Sequence, residues 1–256
     1  MKKAREKRLK ENAKLELLVK SYKIDKREMY LFKEYESKSD KDMNTPLIIA
    51  ASFGNIAVFI RTLQEEFYKY PEKSIAELVN QGNDQEGLSP LIAACSFGYI
   101  ELIKFLIGKC VADVNSCSND GKSPLIFSIL FNNINVAKIL IENGANTNKV
   151  TRESNSALMY AVMGERVEII DLLLKNNADI GLVNHKGKTA FDIAVNLKNS
   201  IIINKLKSYV VKIDSNQENN KILCNACKND NIDLVREILR IYNEINDSRL
   251  SWYING

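Results

Sequence analysis

Side chains able to do acid–base, nucleophilic or metal chemistry are sparse in this 256-residue chain. It holds one histidine, His185, beside Lys186 and Gly187 in a turn-forming stretch, with no cysteine or acid spaced to complete a triad. An imidazole there reads as a solvated loop residue. Cys224 and Cys227 form a C-x-x-C, half of a zinc site, but Cys110 and Cys117 supply no second pair. No glycine-rich phosphate loop and no acidic calcium loop is present. The sequence therefore predicts no catalytic residue, no metal ligand and no cofactor. Five cysteines, an odd number, fall mostly inside predicted helices, which points to a reducing compartment.

The elements around these residues repeat. Thr45-Pro46-Leu47-Ile48 reads as a helix start: a Thr hydroxyl caps the free N–H groups of the first turn, and proline fits the first helical position. Apolar residues follow, and Gly54 stops the helix. The start recurs at Ser89-Pro90, Ser123-Pro124, Ser156-Ala157 and Thr189-Ala190, and more weakly at residues 222–227. The positions of Pro46, Pro90, Pro124, Ala157 and Ala190 are 44, 34, 33 and 33 residues apart, a period that predicts a stacked array. Each stop is followed by a second apolar stripe at helical spacing: Ile100, Leu102, Ile103 and Leu106; Ile134, Val136, Ala137 and Leu140; Val167, Ile169, Ile170 and Leu173. Register places Cys224 and Cys227 at the positions of Ile92 and Cys95, so they read as core thiols.

This combination resembles the ankyrin-repeat family, whose unit carries a T-P-L-H-x-A start, a second helix and a G-A-D-V-N exit. The exits here are Ala112-Asp113-Val114-Asn115, Gly144-Ala145-Asn146-Thr147-Asn148 and Asn177-Ala178-Asp179-Ile180. The family's histidine is replaced by Ile48, Ile92, Ile126, Met159 and Asp192, which weakens a loop-bracing hydrogen bond and leaves packing to hold each unit. The resemblance implies an all-α solenoid of stacked antiparallel helix pairs with short β-hairpin-like loops, and a protein-binding function without catalysis. It predicts repeats over residues 43–210, an N-terminal cap over 1–42, and a linker, degenerate sixth repeat and cap over 211–256. The whole is expected to be elongated and monomeric.

Residues 1–42 stand outside the register. Leu9, Ala13 and Leu17 predict one helix with a single apolar stripe, and a second short helix is expected at 25–35. Residues 1–14 carry +5, leaving −1 for the remainder of a chain of net +4. Two readings stay open for this segment: a cap on the first repeat, or a basic arm for nucleic acid or anionic lipid. The first repeat's excess length lies near residues 64–77, where a lengthened second helix should break at Pro71 and return through a short turn. Its Phe67, Tyr68 and Tyr70 serve either as an anchor or as added specificity. The fifth repeat's second helix is expected at 200–207, with Lys205 where apolar residues stand elsewhere, followed by a linker from Val210. No apolar run reaches a membrane span and no signal-peptide core is present, so the chain is expected in the cytoplasm unless exported by a specialised machine.

Two surfaces are candidates for a partner. Phe53, Phe97 and Phe131 share one register position near the end of the first helix, on the expected concave side, and serve either as an aromatic strip or as inter-repeat packing. The loop tips are Gln85, Glu86 and Leu88; Asn119, Asp120 and Lys122; Arg152, Glu153 and Asn155; His185, Lys186 and Lys188. The leading function is a scaffold that binds another protein, with no small-molecule substrate. One alternative is an adaptor for nucleic acid or anionic membrane through the basic N-terminus. Another is the targeting subunit of an enzyme complex. Ile-, Asn- and Lys-rich usage suggests an AT-rich coding source, and ankyrin-like proteins of some intracellular bacteria act as effectors in host cells.

Overall fold

The computed structural model describes residues 2–22, 27, 29, 30, 32, 33 and 45–214. The expected sixth repeat with Cys224 and Cys227, the tail with Trp252, and most of the helix expected at 25–35 lie outside the described residues. Each of the five described repeats begins as its sequence requires. The hydroxyls of Thr45, Ser89, Ser123, Ser156 and Thr189 accept the N–H of Ile48, Ile92, Ile126, Met159 and Asp192. In the last repeat the Asp192 carboxylate returns the bond to the Thr189 backbone N–H at 2.7 Å, completing a capping box at the family's histidine position.

The chain divides into two compact units, Met1–Asn146 and Thr147–Gly256. The first holds α1 (Lys2–Ser21), then the pair α2 (Pro46–Phe53) and α3 (Ile56–Lys69), a short α4 (Ile75–Val79), the pair α5 (Pro90–Phe97) and α6 (Ile100–Cys110), and the pair α7 (Pro124–Leu130) and α8 (Ile134–Glu142). First helices α2, α5 and α7 pack side by side, and second helices α3, α6 and α8 do the same behind them. The second unit holds α9 (Ala157–Met163) on α10 (Val167–Lys175), and α11 (Ala190–Asn196) on α12 (Ser200–Asp214), with α9 against α11. Among the described residues the β structure is one isolated antiparallel bridge, Val150 to Ser156.

The expected second-helix stripes are buried except at their first residues: Leu102, Ile103 and Leu106 in α6, Val136, Ala137 and Leu140 in α8, and Ile169, Ile170 and Leu173 in α10 are buried, while Ile100, Ile134 and Val167 in the first turns are half-buried. Each large side chain buried in this way stabilises the fold by about 1.5–3 kcal/mol. α12 runs to Asp214, past the expected end at 207 and through the expected start of the linker. Lys205 interrupts its apolar pattern because its Nζ reaches both carboxylate oxygens of Asp171 at 2.6 Å.

In α1 the buried face is not the expected stripe. Leu9 and Leu17 are 62% and 65% exposed, while Leu15 is fully buried. The Arg8 guanidinium lies on the packed face: it is 3.8 Å from the Phe67 ring centroid and donates to the carbonyls of Phe67 and Lys73. The Tyr68 hydroxyl donates to Asn12 at 3.0 Å, Lys14 donates to the Lys109 carbonyl at 2.6 Å, and Tyr22 meets Phe105 edge-on. α1 thus straps the second helices of two repeats. The insertion that receives it breaks at Tyr70-Pro71, as expected, and restarts at a capping box between Ser74 and Glu77.

Three asparagines hold the exits. Asn80 Oδ1 accepts the Asp113 N–H at 2.7 Å while its Nδ2 donates to the Val111 carbonyl at 3.3 Å. Asn115 repeats this on Asn146 and Gly144 at 2.8 and 3.0 Å, and Asn148 on Asp179 and Asn177 at 2.7 and 3.1 Å. Each amide brackets the exit backbone one repeat further on. The carbonyl-bearing residues Val111, Gly144 and Asn177 all have positive φ, at 59°, 85° and 60°.

Val111 is the misfit of that set, a β-branched residue in the left-handed region with its side chain 66% exposed. Left-handed backbone costs an L residue about 1–2 kcal/mol, against about 0.5–1 kcal/mol for the added freedom of glycine when unfolded. Val111→Gly should therefore raise the urea midpoint slightly, and a lowered midpoint would show the strain is absent. Burial pushes the Cys110 thiol up to about 12 and that of Cys95 higher still, whereas Cys117 is only half-buried. At pH 8 a thiol reagent should modify Cys117 ahead of both. Mass spectrometry that finds Cys95 or Cys110 labelled first in the folded chain would contradict this burial.

Candidate functional site

α2 and α5 end in Phe53 and Phe97 and stop at Gly54 and Gly98, whose φ values are 81° and 75°. Gly54 does more than end a helix. A Cβ on it would stand 2.6–2.7 Å from the Tyr99 ring, so its bare α-carbon is what lets Tyr99 of the next repeat lie there. Tyr99 in turn stacks on Phe97, with centroids 5.8 Å apart and planes at 17°. Phe97 is held from beneath and left 57% exposed. Phe131 caps α7, ahead of Asn132 at φ 55°, and is 59% exposed beside Leu130 at 44%.

Phe53 differs from its two counterparts. The chain's own Phe32 meets it edge-on at 5.6 Å and 66°, and Phe32 is itself only 3% exposed. Packing against Phe32 thus accounts for Phe53 in part, whereas Phe97, with Tyr99 on one face, and Phe131 stay more than half exposed. In the second unit the same register position holds exposed Gly164 and Leu197.

The hairpins are built alike. Backbone N–H to carbonyl bonds close Asn83 on Leu88, Ser118 on Lys122, Thr151 on Asn155 and Asn184 on Lys188. Neighbouring tips are tied inside each unit: the Asn119 N–H donates to the Glu86 carbonyl and its Nδ2 to the Gln85 carbonyl, and the His185 N–H donates to the Glu153 carbonyl. Gln85, Glu86, Asn119, Asp120, Arg152, Glu153, His185, Lys186 and Lys188 are exposed. Leu88 and Lys122 are half-buried, and Lys122 pairs with Asp120 at 3.1 Å. Asn155 is buried and belongs to the frame of its hairpin, accepting from Asn184 Nδ2 and donating to Glu153.

Among the described residues no three His, Cys, Asp or Glu side chains group to hold a metal ion, and no helix is long and apolar enough to cross a membrane. A cavity of about 660 Å³ between α1 and the insertion is lined by Arg5, Leu9, Asn12, Tyr68 and Lys73 among others. Three of its polar groups are engaged in structure: Arg8 on two carbonyls, Tyr68 on Asn12, and Glu77, held below the usual carboxylate range by its bonds to Ser74. Sequence reading missed the support that Tyr99 gives Phe97 and the asparagine brackets. The latter had a signal, since Asn80, Asn115 and Asn148 recur at 35 and 33 residues.

A search of curated proteins returns no match to this chain. A family model described as ankyrin repeats, in three copies, matches residues 12–116, 65–151, 98–184 and 158–249. Those overlapping matches span the helix pairs, the hairpins and the asparagine-held exits described above, and the chain belongs to the ankyrin-repeat family.

Proposed function

We propose that this chain is a non-catalytic module that binds another protein through the Phe97–Phe131 strip and the exposed hairpin tips. Repeats of this family are generally protein–protein interaction modules. The observation that carries the reading is the pair of aromatic rings at one register position, 57% and 59% exposed, in a unit whose second-helix stripes are buried. An exposed aromatic adds little to folding, yet aromatics supply much of the energy of interfaces. The partner is a protein rather than a small molecule, and the module needs no cofactor. A basic N-terminal arm is disfavoured, because Arg8 and Lys14 are spent on backbone carbonyls of their own unit.

Phe97→Ala and Phe131→Ala are set against Leu106→Ala as a control, with thermal midpoint and partner capture both measured. Leu106 is fully buried, so its truncation should cost about 2–5 kcal/mol of stability. The two Phe variants should keep the midpoint and lose capture. A midpoint that falls as far for Phe97→Ala as for Leu106→Ala would make the strip part of the core and move the binding surface to the tips.

A further inference from the structure

The first rung of the strip is already occupied, and by a residue of this chain. Phe32 covers Phe53 edge-to-face, and the residues around it, Met29, Tyr30 and Lys33, have helical backbone. The second and third rungs have the same origin, the last residue of a first helix or its cap, and the same ring type, but stand more than half exposed. We infer that Phe97 and Phe131 receive aromatic side chains of a partner helix in the way Phe53 receives Phe32. This rests on the protein-binding reading and specifies its partner.

Spacing fixes the partner further. α5 and α7 pack side by side, and packed helices lie about 8–10 Å apart, so their end residues are separated by a similar distance. On a helix laid across them, side chains at i and i+7 are about 10.5 Å apart along the axis and share one face. A spacing of four gives only about 6 Å. The partner segment is therefore an amphipathic helix with aromatics at i and i+7. Edge-to-face geometry favours a ring over an aliphatic side chain, because the positive ring edge meets the negative face. The strip of Phe97, Tyr99, Leu130 and Phe131 carries no charge. The hairpin tips of the same unit expose Asp84 and Glu86, while Lys122 is paired with Asp120. Basic residues on the partner's flanks complement that field.

The test uses the full chain and a displayed library of helical peptides on a Lys- and Ala-rich scaffold, randomised at i, i+3, i+4 and i+7. Selection should enrich Phe, Tyr or Trp at i and i+7 together. A representative peptide should lose about tenfold or more in affinity on Phe97→Ala, on Phe131→Ala, and on replacing either of its own aromatics by Ala. Leu9→Ser, on the exposed face of α1, should leave binding unchanged. The peptide-side replacements decide the matter even if a chain variant disturbs folding. Recovered binders without the aromatic pair, binders indifferent to both Phe97→Ala and Phe131→Ala, or a library that yields no binder would each overturn the inference. If such binders are still lost on Glu86→Lys or Lys186→Glu, the protein-binding reading stands with a different partner. If they are indifferent to those changes as well, both readings fall.

Discussion

The exits between repeats pose the hardest constraint on this chain, because backbone polar groups there leave helices and find no sheet to join. Asn80, Asn115 and Asn148 meet it with a side chain shaped like a peptide group. One amide both accepts and donates, so two orphan backbone groups are satisfied at once and the spacing between neighbouring repeats is set. The histidine typical of the family start is absent in every copy, replaced mostly by buried apolar residues. The bracing on the described residues lies at the exits, where Asn115 and Asn148 close the family-like exit sequences. Within each unit, the buried faces of first and second helices then supply the packing, and the amides supply register.

With packing and register handled elsewhere, the ends of the first helices are released from the core. Their form still depends on the neighbouring repeat: Gly54 has no side chain, Tyr99 fills that place, and Phe97 rests on Tyr99. The placement of Phe97 is thereby coupled to repeat stacking, since a shift between the first two repeats would move the ring that supports it. The N-terminal segment acts on both sides of this arrangement. α1 straps α3 and α6 from behind, and Phe32 closes the first rung in front.

Helix starts, stops and second-helix stripes were legible in the sequence because each is set by local chemistry: a hydroxyl, a proline, a left-handed glycine, a period. The break at Pro71 followed from the same kind of rule. What was not legible depended on tertiary partners. Counting apolar residues puts Leu9, Ala13 and Leu17 on the inner face of α1, but the face that packs carries the buried Leu15 and the Arg8 guanidinium stacked on Phe67. The length of α12 was hidden by the β-branched Val210 and Val211, which lower helix propensity without ending the helix. Of the site, the Phe register was visible, yet which rungs stay exposed depended on Phe32, far away in sequence. Asn155 looked like a tip and proved to be hairpin frame, because polar side chains serve loops from inside as readily as from outside.

The account stands or falls on the exits being held by side-chain amides, and native-state hydrogen exchange reads this directly. The backbone N–H groups of Asp113, Asn146 and Asp179 lie outside helices yet each is accepted by a bracketing asparagine, whereas the N–H of Asp120 lies at an exposed tip. The three exit amides should exchange about tenfold or more slowly than that of Asp120, moving toward the rates of the helices they join. Exchange of all three at the rate of the tip would contradict the account, and would leave the packing of the helices as the sole source of order between repeats.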